Sequence, residues 1–228
     1  DHRAASGRAN PRGVRMSGAA VDTPKPATMT PLNSGIALGV AVAALTFYQF
    51  GVTAWLDHGS TERAALQEYW PLLVAYVVAV ACAAASAPLA VVRAITDGTP
   101  THRFSLACIA ASVAGWLMYA TIGVDGIGSP TMAFYWGGLA ALWSGAIAMI
   151  HLCRRWRKPL AVRDWTIYAA AIALIPLTMI PSVPLWPLLV DLDPGQTIMT
   201  AATSSFAAHM LIAHYVIFEI LERRPRRS

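Results

Sequence analysis

The 228 residues are 56% hydrophobic and 13% charged, with a mean hydropathy of +0.51, so polar side chains are too few to cover a soluble globular fold. The formal net charge is +5 and the pI is about 9.4, but the basic excess lies in short segments that flank apolar runs, which favours a membrane protein over a nucleic-acid-binding protein. No connection between these runs exceeds about 15 residues, so we expect one domain.

Six apolar runs follow one another along the chain, each with about the 20 residues that a helix needs to cross about 30 Å of hydrocarbon. They span residues 34–56, 70–92, 104–124, 131–153, 165–190 and 197–221. The sequence therefore predicts an all-α integral membrane protein with a bundle of about six transmembrane helices within residues 31–222.

The charges between the runs predict the orientation, because Lys and Arg are retained on the cytoplasmic side whereas Asp and Glu influence it little. Basic residues occupy both tails and the second and fourth connections: Arg3, Arg8, Arg12, Arg15 and Lys25; Arg93 and Arg103; Arg154, Arg155, Arg157, Lys158 and Arg163; and Arg223, Arg224, Arg226 and Arg227. The other three connections carry Asp57, Glu62, Glu68, Asp125, Asp191 and Asp193, with Arg63 as their only Arg or Lys. We expect both termini to be cytoplasmic and the protein to be multi-pass in the inner (cytoplasmic) membrane.

The two ends of the chain are polar and basic. Residues 1–30 are rich in Arg, Ala, Gly, Pro and Thr and contain no apolar run, so we expect a disordered N-terminal tail. Met16 is a candidate start because the chain opens on Asp1, and no cleavable signal is evident. Residues 223–228 are expected to form a basic C-terminal tail.

Small residues dominate stretches such as 79–87 and 107–115, where Leu would be common in other membrane proteins. In lipid, helix association depends on the close approach that small residues allow, because apolar burial cannot drive it. The composition therefore favours a tightly packed bundle or an assembly with partner subunits.

The fifth run contains Pro176, Pro181, Pro184 and Pro187 within twelve residues, and each removes a backbone donor. Two interpretations stay open. In the first, the segment is helical to about Leu174 and then kinked or extended, and is buried in the assembly or lines a cavity. In the second, the helix ends early and the outer loop begins near Pro181.

Two histidines lie within the last run, and ionisable residues at membrane depth are candidates for function. Counting from Thr197, His209 is predicted to lie about 18 Å deep, with His214 toward the inner half. Their five-residue spacing places them about 140° apart around a helix, so a shared metal would need ligands from other helices or another chain. The alternative is that each histidine is a hydrogen-bonded packing residue.

Other side chains have a simpler interpretation. The carboxylates and His58 of the outward connections suit copper or another first-row metal, but we expect most of them to form a solvated rim. Cys82, Cys108 and Cys153 lie in different runs without CxxC spacing, so we expect free thiols. Few charges lie within the runs, which argues against a transporter or channel.

Short signatures follow one another between about residues 34 and 221. They are Glu68-Tyr69-Trp70, the stretch from Arg93 through Thr96 to Asp97, Phe134-Tyr135 followed by Gly145, then Pro159, Pro176 and Pro181, then Phe206 to His209, and His214 to Phe218. This order resembles the C-type component of the particulate methane and ammonia monooxygenase superfamily, the copper membrane monooxygenases. The resemblance implies a copper centre that activates dioxygen to oxidise a small substrate such as methane, ammonia or a short hydrocarbon. It also implies A-like and B-like partner subunits.

The family's copper motifs are incomplete in this chain. One motif reads Asp-x3-His-x12-His, and here Asp125 is followed by Ser129 and Leu142 at the histidine positions. The neighbouring motif reads Asn-x3-His-x13-His, and here Asp191 and His209 keep its ends while Gly195 replaces the middle histidine.

Two interpretations of the incomplete motifs stay open. A divergent member would rebuild a metal site from Asp125, Asp191, His209 and His214. Alternatively, the chain has lost the metal and serves as a non-catalytic scaffold or assembly subunit of a redox complex. Neither interpretation identifies a catalytic residue.

Overall fold

The computed structural model describes residues 30–48, 68–124 and 130–222, and all the regular secondary structure in these ranges is helical. The long helices are α1 (Pro31–Phe47), α2 (Trp70–Asp97), α3 (His102–Met118), α4 (Pro130–Arg155), α5 (Pro159–Ser182) and α6 (Pro194–Tyr215). Two of them continue in π-helical geometry, α3 through Tyr119–Val124 and α6 through Val216–Glu222. The predicted N-terminal tail up to residue 29, the predicted C-terminal tail and Asp125 lie outside the described residues.

The membrane character that the sequence predicts is confirmed. Five segments are long and apolar enough to cross a bilayer: Trp70–Asp97, His102–Thr121, Trp136–Arg155, Pro159–Leu189 and Gln196–Glu222. The helix Pro31–Phe47 is apolar but shorter, and the remainder of the first predicted run lies outside the described residues. The chain is therefore a multi-pass membrane protein.

Side-chain caps begin three of the long helices, because the first turn of a helix has backbone donors without intrahelical partners. Thr30 accepts a hydrogen bond from the Asn33 amide at the start of α1, and Thr101 begins α3 with the corresponding contact. At the start of α6, Asp193 accepts from the Gln196 amide at 2.8 Å while the Gln196 side chain accepts from the Asp193 amide at 3.2 Å. This reciprocal pair is a capping box, and it places the beginning of α6 at Pro194.

The proline-rich fifth run is helical well beyond Leu174, so the prediction of an extended segment from that point is wrong. Helix α5 passes through Pro176 and ends at Ser182, near the second predicted boundary. A 3-10 turn at Val183–Leu185 and a four-residue helix at Trp186–Leu189 follow in place of an irregular loop. Each of these begins with a proline at its first or second position, where the missing N–H has no intrahelical acceptor and the fixed φ suits a helix.

Helices α2 and α5 form the centre of the bundle. Helix α2 packs against α1, α3 and α5, whereas α5 packs against α1, α2, α4 and α6. Small side chains fill these contacts, and Ala83, Ala84 and Ala173 are fully buried. The large buried residues Tyr76 and Trp136 meet edge to face between α2 and α4, with ring centroids 4.5 Å apart. Helix α6 lies at the edge and packs mainly against α5.

The backbones of α1 and α2 approach each other closely at two glycines. A Cβ atom placed on Gly35 would overlap the Ala85 carbonyl oxygen, and one placed on Gly39 would lie 2.7 Å from the Ala85 Cβ atom. Gly35 and Gly39 therefore form a GxxxG face that only glycine can occupy at this distance, as the Ala- and Gly-rich composition predicts for helices that associate in lipid.

One end of the bundle carries every Lys and Arg of the described residues. The α2–α3 and α4–α5 connections lie together there, because a Cβ atom on Gly98 would be 3.1 Å from the Pro159 Cβ atom. Gly98 itself has a φ of 67°, a left-handed conformation that glycine adopts without strain. The basic residues at this end are Arg93, Arg103, Arg154, Arg155, Arg157, Lys158 and Arg163. Asp191 and Asp193 lie at the opposite end of α6.

Candidate functional site between α5 and α6

His209 lies on the side of α6 that packs against α5. Its Nδ1 atom is 2.9 Å from the Ser205 carbonyl oxygen and 3.4 Å from the Thr178 hydroxyl oxygen. A carbonyl oxygen can only accept, so the short contact assigns the proton of the neutral ring to Nδ1. The Thr178 hydroxyl donates to the Ile175 carbonyl oxygen at 3.3 Å and can therefore accept from the same Nδ1–H. Nε2 is then the ring atom with a free lone pair.

His214 lies about one and a half turns further along α6 and contacts a different part of α5. Its Nδ1 atom is 3.3 Å from the Tyr168 hydroxyl oxygen, and its ring lies 4.3 Å from the Phe218 ring, centroid to centroid. The side chain is exposed, unlike that of His209, which is half-buried. An aromatic and hydrogen-bonded environment of this kind suits an imidazole near the membrane boundary.

The two histidines do not converge on one point. Their partners on α5, Thr178 and Tyr168, are ten residues apart in sequence, a helical distance of about 15 Å. The ring nitrogen that each histidine uses for its contact is Nδ1. Each histidine therefore contacts a different residue of α5, and the two contacts are independent of each other.

Asp191 is separated from His209 by most of the length of α6. It lies before the capping residue Asp193, is exposed, and precedes a helix that runs without interruption from Pro194. Fifteen residues from Pro194 to His209 correspond to about 22 Å along the helix axis. Metal–ligand bonds to nitrogen and oxygen are about 2 Å long, so Asp191 and His209 of one chain cannot bind the same ion.

The structure describes three of the four predicted metal ligands and places them in different positions. His209 lies about midway along α6 and its π-helical continuation, His214 lies toward the basic end, Asp191 lies before the opposite end of α6, and Asp125 lies outside the described residues. Among residues 30–48, 68–124 and 130–222, no group of three or more His, Cys, Asp and Glu side chains is close enough to hold a metal ion. The donors that the described chain brings together do not make a copper site by themselves.

The cysteines are free thiols, as their spacing predicts. Cys108 and Cys153 are buried in the core, whereas Cys82 is exposed on α2, so the expectation that all three pack as apolar groups holds for two of them. None adds a soft ligand to the histidines of α6.

Sequence patterns did not identify the partners of the histidines. No sequence motif distinguishes Thr178, Ser205 and Tyr168 within their apolar runs. The one local signal is the four-residue spacing of Ser205 and His209, which lets the imidazole reach a backbone carbonyl of its own helix. The contacts across α5 and α6 depend on how the two helices are rotated about their axes, which the sequence spacing does not specify.

A second polar cluster, also missed at the level of sequence, joins α3 to α4. The hydroxyl oxygens of Ser112 and Ser144 are 2.7 Å apart, and the Trp116 indole N–H donates to Ser144 at 3.0 Å. Ser144 also donates to the Ala140 carbonyl oxygen of its own helix at 2.8 Å. All three side chains are thereby satisfied within the protein, which indicates a structural link between the helices rather than a reactive site.

Comparison with known proteins adds no relative. No family model matches the chain, and no curated protein or solved structure is significantly similar to it.

Proposed function

We propose that this chain is the C-type membrane component of a copper-dependent monooxygenase complex. The complex would oxidise a small substrate such as methane, ammonia or a short hydrocarbon with dioxygen, and this chain would work beside A-like and B-like subunits in the inner membrane. The order of signatures along the sequence supports the family, and the multi-pass helical fold is compatible with it. In this proposal the chain crosses the membrane six times and both termini are cytoplasmic.

The gathering of basic residues at one end supports the orientation. Seven Arg and Lys side chains of the described chain lie at the end that holds the α2–α3 and α4–α5 connections. Cytoplasmic ends of membrane helices carry such an excess. An even number of spans then returns the C-terminus to the side of the N-terminus.

His209 is the observation that carries the functional part of the proposal. An imidazole at membrane depth is costly unless it has polar partners. Both of its contacts within the described chain use Nδ1, so Nε2 remains for a metal ion or for a donor from another subunit. Beyond His209, the outer side of α6 has no cover from the described part of this chain, since Leu211 and Ile212 are 70% and 62% exposed. A partner helix or lipid covers this surface.

Copper, when bound, would supply the chemistry of dioxygen activation. This chain would contribute the His209 imidazole, oriented by Ser205 and Thr178, and the other ligands would come from a partner subunit or from residues outside the described ranges. Fixing a ligand histidine through its second nitrogen is a general property of metal sites.

Elemental analysis of the complex, purified from its membrane with partners retained, tests the proposal. We expect His209→Ala to remove copper that the unaltered complex retains. Asp191→Asn is the matched control, because Asp191 precedes Pro194, where α6 begins about 22 Å from His209, and the change should leave the copper content unchanged. Copper loss in both variants would instead indicate that α6 adopts a different conformation in the complex, in which Asp191 and His209 are close together.

A non-catalytic scaffold is the second candidate function. The separation of Asp191 from His209 favours it, because the two ends of the family motif do not meet in this chain. Copper that is retained in full by the His209→Ala complex would exclude a ligand role and leave this chain as the scaffold or assembly subunit of the redox complex.

A further inference from the structure

The connection between α4 and α5 is a dense cationic surface that the proposed function does not use. Four of the five residues from 154 to 158 are basic, and all four side chains are exposed: Arg154, Arg155, Arg157 and Lys158. Within the part of the chain that the structure describes, none of the four forms an ion pair. The next basic residue, Arg163, differs because it binds Asp164 with an Nη2–Oδ1 distance of 2.7 Å. The turn therefore presents four cations to an external anion.

The backbone of this turn is defined by two hydrogen bonds. The Arg157 amide donates to the Arg154 carbonyl oxygen and the Lys158 amide donates to the Cys153 carbonyl oxygen, both at 3.0 Å. Together with the left-handed Arg157, whose φ is 53°, these bonds form a Schellman motif that ends α4. Pro159 begins α5 immediately afterwards and rests against Gly98 of the α2–α3 connection. The cations are thus held on a fixed backbone rather than on a long loop.

Two large apolar side chains accompany the cations. Trp156 and Leu160 are 54% and 57% exposed, and the Lys158 ammonium lies 5.5 Å from the centre of the Trp156 ring. Exposed tryptophan and basic residues at the end of a membrane helix are typical of the layer that contains lipid headgroups. Residues 154–160, which we call the basic turn, therefore combine phosphate-binding groups with a surface for acyl chains.

We propose that the basic turn binds the headgroup of an anionic phospholipid. The guanidinium groups of Arg154, Arg155 and Arg157 match the paired oxygens of a phosphate, and Lys158 adds a compact charge. Trp156 and Leu160 contact the glycerol and the upper part of the acyl chains. The proposal is independent of copper, because it depends only on the charge, exposure and geometry of this connection.

Lipid titration of the purified full chain in neutral detergent tests the proposal, with bound lipid counted by native mass spectrometry. The probes are phosphatidylglycerol and phosphatidylcholine of the same acyl composition. We expect tighter binding of phosphatidylglycerol, and we expect Arg155→Gln with Lys158→Gln to weaken it by about fivefold for each cation removed. The matched control is Arg93→Gln with Arg103→Gln, which removes two exposed cations from the neighbouring connection and should keep the affinity of the unaltered chain.

Three outcomes would overturn the proposal: equal binding of the two lipids, equal loss in the two double variants, or displacement of the lipid by inorganic phosphate at the same concentration. The second outcome would show that lipid binding depends on the overall charge of the chain rather than on the basic turn. The third would show that the site binds a free anion. Arg155→Lys with Lys158→Arg tests whether the turn tolerates substitution, and it should retain the preference for phosphatidylglycerol. Should the Gln variants fail to fold, the lipid preference of the unaltered chain and its decline with salt decide the question.

Discussion

At the scale of single residues, Arg157 is the clearest departure from what its position favours. It occupies the left-handed residue of the Schellman motif, where glycine is usual because a Cβ atom is crowded there. We expect Arg157→Gly to raise the free energy of unfolding by about 1 kcal/mol. Thermal unfolding in neutral detergent without anionic lipid measures this, and Arg157→Ala, which removes the charge but keeps Cβ, should show no such gain.

Ser144 offers a residue-scale test of the polar cluster between α3 and α4. Ser144→Ala removes the contacts to Ser112 and Trp116, and we expect it to lower the free energy of unfolding by about 1 kcal/mol, within the range measured for hydrogen bonds between membrane helices. Ser204→Ala is the matched control because the Ser204 hydroxyl donates to carbonyl oxygens of its own helix. Equal effects of the two changes in thermal unfolding would contradict a role in joining the helices.

At the scale of helices, the GxxxG face of α1 is predicted to be the packing contact most sensitive to substitution. Gly35→Ala would bring a methyl group against the Ala85 carbonyl oxygen, and overpacking of this kind costs about 1–3 kcal/mol. Gly145→Ala is the control, since nothing lies within 4 Å of a Cβ atom there and alanine favours a helix. Thermal unfolding of the two variants in detergent should shift in opposite directions. Similar midpoints would show that α1 is not packed closely against α2.

The helices were largely predictable from the sequence because about 20 consecutive apolar residues in lipid have almost no stable alternative to a helix. The same preference for a helix in lipid explains why the fifth run is not extended after Leu174, as its prolines suggested. Pro176 and Pro181 each remove one hydrogen bond, but the surrounding turns and neighbouring helices hold the segment in helical form through Ser182. The ends were less well predicted, since α2 extends to Asp97, five residues beyond the apolar run, because capping at Gly98 rather than hydropathy ends it.

The candidate site was predictable only in part, because periodicity places a residue along a helix but not against its neighbour. His209 was identified from its depth in the last run. Thr178 and Tyr168, which hold the two histidines in separate places on α5, depend on the rotation of α5 and α6 about their own axes. The motif ends Asp191 and His209 looked like one ligand set in sequence, but an unbroken helix from Pro194 keeps them apart.

At the scale of the whole molecule, the basic turn belongs to a larger group of Lys and Arg residues at one end of the bundle. The Gly98–Pro159 contact brings the α2–α3 and α4–α5 connections to one end, so their cations act on the same membrane surface. An anionic leaflet attracts cations near its surface by about 1 kcal/mol each, which would favour this orientation over the inverted one. The same charges that orient the chain would then also supply the proposed lipid contact.

Cysteine labelling in intact cells measures this orientation directly. With Cys82, Cys108 and Cys153 replaced by alanine, we introduce Arg155→Cys at the basic end or Asp191→Cys at the opposite end, both exposed positions. A thiol reagent that cannot cross the membrane should label the cysteine at 191 from outside and reach the one at 155 only after permeabilisation, because the proposed orientation puts the basic end in the cytoplasm. Labelling of the cysteine at 155 alone in intact cells would show that the orientation is the inverse of the proposed one. Because the two positions lie at opposite ends of one bundle, labelling at both in intact cells would contradict a single orientation.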